Sequence, residues 1–165
     1  MPFIIRNALL KDLTAIISIY NAVIQEGGFT ADLKPYSVTA KKEWFSALKR
    51  NKNIFVIEKD QALAGYFYFS SWREGRDALN SVAEISFYIA KDFRRQGLGN
   101  TIMSTAITKA KEKGFNHLLA ILLDSNNASV ALLKKHGFET AGHLPGIARL
   151  KDYTCGQYLM LKKLI

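Results

Sequence analysis

The sequence predicts an α/β chain of the α+β kind. It has a mixed, mostly antiparallel, twisted sheet of about seven strands, with about four helices on its faces. Three observations predict it. Apolar residues alternate in some segments and recur every third or fourth residue in others. Glycine, proline and polar breaks keep those segments short. The two kinds interleave in the order β-α-α-β-β-β-α-β-α-β-β, which calls for a parallel crossover around the third helix.

The elements follow in order. "FIIRNA" reads as the first strand. Asp12 is placed to cap a helix with Leu13, Ile16, Ile17, Tyr20 and Ile24 on one face, and "EGG" at 26–28 ends it. A loop runs through Pro35, and Ser37 or Thr39 starts a second helix carrying Trp44, Phe45 and Leu48. "NIFVIE" and "ALAGYFYFSS" form a hairpin across "KDQ", and "AEISFYIA" is the next strand. A helix is expected from about Gly97 to Lys113, then the strand "NHLLAILL". "NNASVALLKKHG" is a helix opened by an asparagine cap, and "FETAGHL" and "YTCGQYLMLKKL" close the sheet.

The 165 residues fit one domain, 1–165, and 48% of them are hydrophobic, enough for a sizeable core. No apolar run approaches the ~20 residues a membrane span needs. The start "MPFIIRNALLKD" does not look like a signal peptide, so a cytoplasmic protein is expected. Cys155 is the only cysteine; no internal disulfide and no metal cluster are expected. The net charge of +9 favours polyanions in general, but the lysine pairs are scattered and no nucleic-acid motif is visible.

"RRQGLGN" at 94–100 stands where a strand becomes a helix. A helix N-terminus offers unpaired N–H groups and a partial positive charge. Glycines let several N–H groups converge on one anion, and Arg94 and Arg95 add charge beside Gly97 and Gly99. The segment suits a phosphate or pyrophosphate. It lacks the spacing of a Walker loop and of a dinucleotide-binding fingerprint.

Taken with "NNASVALLKKHGF" one helix and one strand later, strand–"RRQGLG"–helix resembles the GNAT superfamily of acyl-CoA-dependent N-acyltransferases. "IYNAVI", "EWFSALK", "GYFYFSSWRE" and "AEISFYIAKDFRRQGLG" look like its phosphinothricin N-acetyltransferase branch. The resemblance implies a GNAT-like fold, acetyl-CoA as co-substrate, no metal, and a small amino-acid-like amine as acceptor. It implies that coenzyme A is held by the turn residues Arg94, Arg95, Gln96, Gly97, Leu98, Gly99 and Asn100. Asn126 and Ser129 would flank the pantetheine arm, and strand residues Phe87, Tyr88 and Ile89 would border it. Amides near Tyr88 and Ile89 would polarise the thioester carbonyl if the strand splays from its neighbour. The branch often forms homodimers, so a homodimer is expected; no nucleic-acid or membrane partner is.

Acetyl transfer to an amine needs a proton acceptor, since an amine with a pKa near ~10.4 is protonated at neutral pH. Glu84 is the candidate. Strand alternation puts Glu84, Ser86 and Tyr88 on one face and Ala83, Ile85, Phe87 and Ile89 on the other. Glu84 also matches the base glutamate proposed for the resembled branch. Two departures stand out. Leu133 occupies the position where many members carry a tyrosine or histidine acid, leaving Tyr153 or unassisted thiolate departure. Leu79 stands where the branch often has a tyrosine, which leaves the acceptor open. By the resemblance, Phe29, Thr30, Trp72, Arg73 and Arg76 fall in segments that line the acceptor site. His117 and His143 read as strand residues, and His136 should turn away from the cleft. Peptide or protein acetylation, and an acyl-CoA-binding sensor without turnover, remain as alternatives.

Overall fold

The computed structural model describes residues 2–165. Seven strands form one sheet: β1 (Ile4–Asn7), β2 (Ile54–Lys59), β3 (Ala62–Ser71), β4 (Val82–Ile89), β5 (His117–Leu123), β6 (Glu139–Arg149) and β7 (Thr154–Lys163). Their spatial order is β1-β2-β3-β4-β5-β7-β6. Among the described residues only β4 and β5 run parallel. The four helices are α1 (Leu13–Glu26), α2 (Lys42–Arg50), α3 (Leu98–Glu112) and α4 (Asn127–Lys135). α3 is the crossover between the parallel strands, as the element order demands.

The sheet carries a core on each face. Leu13, Ile16 and Ile17 of α1 and Phe45 and Leu48 of α2 pack on Ile54, Val56 and Tyr66. On the other face Leu98, Ile102, Met103 and Ala106 of α3 and Leu133 of α4 pack on Phe67, Phe69, Ala83 and Ile85. Each large apolar side chain buried in this way contributes roughly 1.5–3 kcal/mol. That burial holds the helices at fixed heights along β4, which locates the site.

Two local expectations change, and the choice between Ser37 and Thr39 is decided. Asp12 does not cap α1 through its side chain. Its carboxylate accepts from the Leu9 N–H at 2.7 Å and from Arg6 at 2.7 and 3.0 Å, and Arg6 also pairs with Glu58. A charged fork outcompetes a neutral amide for a carboxylate. Ser37 takes the capping role ahead of α2, accepting from the Ala40 N–H at 3.1 Å through a short 3-10 turn, Thr39–Lys41. The strand expected at 138–144 runs on to Arg149 through Pro145. β6 is an edge strand, where a residue without an N–H is tolerated. The β2–β3 hairpin turns through Asp60 and Gln61, both at positive φ (51° and 66°), as its two-residue loop requires. Among the described residues no helix is long and apolar enough to cross a membrane.

Candidate active site

β4 and β5 pair at only three positions, Val82–His117, Ala83–Leu118 and Glu84–Leu119. Beyond Glu84 they part. β4 keeps its antiparallel register with β3 as far as Ile89, and β5 keeps its register with β7 as far as Leu123. Neither strand can satisfy both neighbours, so a wedge opens between them. A cavity of about 60 Å³ lies at its apex, lined by residues that include Ile85 to Tyr88 of β4, Ala120 to Leu122 of β5 and Leu133 of α4. A larger cavity of about 540 Å³ continues outward between β4, the 94–100 turn and α4. Phe29, Phe87, Tyr88, Asn126 and Ser129 line both.

The turn is built as an anion cradle. Ala90 donates to the Ala64 carbonyl at 2.9 Å, which ends the β3–β4 ladder. A 3-10 turn, Lys91–Phe93, then leads to Arg95 at φ 59° and Gly97 at φ 80°, the residue before α3. A left-handed conformation costs a non-glycine residue roughly 1–2 kcal/mol, so Arg95 is held there by its surroundings. Among the described residues, no protein group accepts from the N–H groups of Arg95, Gln96, Gly97, Leu98 or Gly99. Five free amides at the positive end of a fifteen-residue helix suit a diphosphate. Gly97 has open space where a Cβ would stand, whereas a Cβ on Gly99 would come 3.1 Å from Leu132.

Backbone parity decides which β4 amides face the wedge. Since the Ala90 N–H points to β3, alternation sends the Tyr88 N–H there too and turns those of Phe87 and Ile89 towards β5. The expectation that the Tyr88 amide faces the donor is therefore corrected to Phe87 and Ile89. The Tyr88 side chain packs towards the core under α1 and α2. It packs edge-on to Tyr20 at 4.9 Å and against Tyr66 at 5.3 Å.

Glu84 is the last β4 residue paired with β5, so it stands at the apex. Its side chain projects to the face of α1 and α2, shared with Ser86, and lines neither cavity. Burial raises its pKa above the ordinary carboxylate range. On β3, opposite Tyr88, Tyr66 is 2% exposed, and its hydroxyl has no hydrogen-bond partner among the described residues. No fully enclosed side-chain polar atom is left unpaired among them, so that hydroxyl borders open space.

The remaining candidates divide. Asn126 caps α4, accepting from the Ser129 N–H at 3.2 Å, and its Nδ2 stays free of protein partners among the described residues. Asp124 fixes the approach to this cap. It accepts from the Gly156 N–H at 2.9 Å and bonds His143 Nε2 at 2.8 Å, and the His143 bond holds its carboxyl below the usual range. Asn100 Oδ1 meets His136 Nε2 at 3.1 Å; Asn100 lines the large cavity and His136 does not. The Gln96 side chain turns away, accepting from Lys59 and donating to the Asp92 carbonyl, both at 2.9 Å. The Arg94 guanidinium is engaged by Glu26 and by the Ile89 carbonyl. Arg95, Leu98 and Gly99 line the large cavity.

Of the residues expected to line the acceptor, Phe29 lines both cavities, while Thr30 bonds the Tyr20 hydroxyl at 2.9 Å and lines neither. Trp72, Arg73 and Arg76 line neither. β3 runs to Ser71, opposite Ala83, so their loop leaves at the paired end of β4, beyond Glu84. Leu133, 1% exposed, lines the small cavity and has no proton to give. The Tyr153 hydroxyl lies 3.4 Å from Ser125 Oγ, outside both cavities. Sequence reasoning missed Ala128, Leu132 and Glu26 as wall residues. The i, i+4 spacing of Ala128 and Leu132 could have revealed the first two; nothing local marks Glu26.

This geometry matches known proteins. Residues 16–138 match the acetyltransferase (GNAT) family model. A Bacillus subtilis protein, YwnH, with a provisional phosphinothricin acetyltransferase designation is 34% identical over 147 residues, covering 88% of this chain and 90% of that protein. An L-methionine sulfoximine/L-methionine sulfone acetyltransferase of Pseudomonas paraeruginosa is 28% identical over 147 residues, covering 88% of this chain and 85% of its own. A phosphinothricin acetyltransferase of Sinorhizobium meliloti, solved with acetyl-CoA, superposes with a TM-score of 0.93 at 26% identity, covering 99% of this chain and 89% of the other. The unpaired amides and the wedge beside them fit that donor, and the chain belongs to the GNAT family as an N-acetyltransferase that uses acetyl-CoA.

Proposed function

We propose that the chain acetylates the primary amine of a small amino-acid-like molecule, by direct attack within a ternary complex. The observation that carries this reading is the parting of β4 and β5 at Glu84, beside a turn with five free amides. The named activities of the relatives, on phosphinothricin and methionine sulfoximine, support the acceptor class.

In this reading the amides of Arg95 to Gly99 bind the diphosphate, and Asn126 and Ser129 bind the pantetheine amides. Acetyl-CoA supplies an activated acetyl group on sulfur, and thiols are acidic enough (a cysteine thiol has a pKa of ~8.5) for a thiolate to leave without an acid. The amides of Phe87 and Ile89 stabilise charge on the acetyl oxygen. Glu84 takes the amine's proton, directly or through water, from the face of the sheet opposite Phe87. Burial keeps its carboxylate basic enough for that task. Cys155 lies on β7, opposite Ala148, and is 8% exposed, which disfavours an acyl-enzyme.

The test is a free-thiol assay with acetyl-CoA against amino acids, their analogues, polyamines and peptides. Thiol release with an amino-acid-like amine is expected. Release with peptides alone would move the acceptor to a protein amine. Leu133 in place of a proton donor favours one further reading, an acyl-CoA-binding sensor. Acetyl-CoA binding with no release from any amine would establish it.

A further inference from the structure

Arg94 does more in this fold than add charge to the turn. Its Nε donates to the Ile89 carbonyl at 3.2 Å. Its Nη1 donates to both carboxylate oxygens of Glu26, at 2.9 and 2.8 Å. Its guanidinium carbon stands 5.2 Å from the centre of the Phe29 ring. Nη2 has no partner among the described residues. Glu26, Phe29 and Arg94 line the same cavity as Gly97 and Gly99. One planar group thus joins the end of α1, the end of β4 and the residue that walls both cavities.

Phe29 needs such a tether. It follows Gly27 and Gly28, both at positive φ (79° and 80°), a pivot no other residue type adopts readily. Beyond it, Thr30 and Asp32 are tied to the Tyr20 hydroxyl, and the Tyr36 N–H donates to Asn21 Oδ1 at 2.9 Å. The segment is pinned at its far end to α1, and at its near end Arg94 is its contact with the turn.

We propose that Arg94 is a positioning residue that couples diphosphate binding at the 94–99 turn to the placement of Phe29 and the segment 27–36. This rests on the donor reading above. A phosphate oxygen at the turn accepts from Nη2 while Nε and Nη1 keep their partners, because a guanidinium has five N–H groups in a fixed fork. The third anchor immobilises the guanidinium, and the stacked Phe29 ring with it. The wall of the acceptor side is therefore set when the donor is in place. By linkage an acceptor contacting that wall tightens donor binding in return.

The test uses free coenzyme A, which allows no turnover. Amide hydrogen exchange of 27–36 and calorimetric CoA affinity are measured for the wild type and Glu26→Gln. Glu26 sits at a partly exposed helix end, and its amide is isosteric, so the fold is not at risk. CoA is expected to slow exchange of 27–36 by about fivefold or more in the wild type and less than about twofold in the variant. CoA affinity should stay within about threefold or tighten, because the variant deletes a negative charge near the diphosphate. A merely structural role would weaken both together. Equal protection in the two proteins, no protection in the wild type, or a larger loss of affinity in the variant overturns the proposal. Failure of the wild type to bind CoA at all overturns the donor reading as well.

Discussion

At Glu84 the fold sets function against stability. Burial raises its pKa, so the native state holds the proton more tightly than the unfolded chain does. The sign follows from linkage. Between the ordinary carboxylate pKa and the raised one the native state binds more protons, so stability falls as pH rises through that window. Above it the ionised Glu84 is a net cost to the fold. In its proposed role as a base it works only in that ionised form. Glu84→Gln is therefore predicted to lower kcat at pH 7 by about 10²–10⁴-fold. Activity should be partly restored at higher pH, where free amine becomes abundant, and Tm at pH 7 should equal or exceed that of the wild type. Stopped assays across pH and a thermal melt check both. A variant that is slower and also less stable would make Glu84 a structural partner instead. The face Glu84 occupies was legible from strand alternation. Its position at the last paired step of β4 was not, because that depends on β5 and β7.

Among the elements, the turn from β4 to α3 separates backbone effects from packing. Gly97 is at φ 80° with nothing within 4 Å of a Cβ, so Gly97→Ala perturbs conformation without collision. The strain should cost about 1–2 kcal/mol. For a chain of this size that lowers Tm by about 2–8 °C. The reoriented amides should weaken CoA by about tenfold or more, read by calorimetry. Unchanged affinity beside a lowered Tm would show that the turn does not grip the diphosphate. α1 was legible because Leu13, Ile16, Ile17 and Ile24 repeat with the helix period and are buried. Asp12 was misread as a helix cap, and the bonds of Arg94 were not foreseen, because their partners arrive by tertiary folding. Glu26 lies 68 residues from Arg94, and local propensity carries no trace of it.

Across the whole molecule, the sheet is two antiparallel blocks, β1 to β4 and β5 to β7, joined at three residue pairs, Val82 to Glu84 with His117 to Leu119. The element order implied the parallel junction; its brevity was hidden, because each strand reads as fully paired in isolation. The proposed donor site spans the blocks, with the turn amides and Phe87 and Ile89 on one and Asn126 and Ser129 leading from the other. A ligand touching both sides should therefore stabilise the native chain more than one held by the turn alone. CoA at about a hundredfold above its Kd adds about 2.7 kcal/mol to unfolding. That corresponds to a Tm rise of about 5–11 °C for a chain of this length. Inorganic pyrophosphate at the same free concentration reaches only the amides of Arg95 to Gly99, so its shift should be well under half as large. Equal shifts from the two ligands would mean that the wedge between β4 and β5 contributes nothing to binding, and that the turn alone holds the donor.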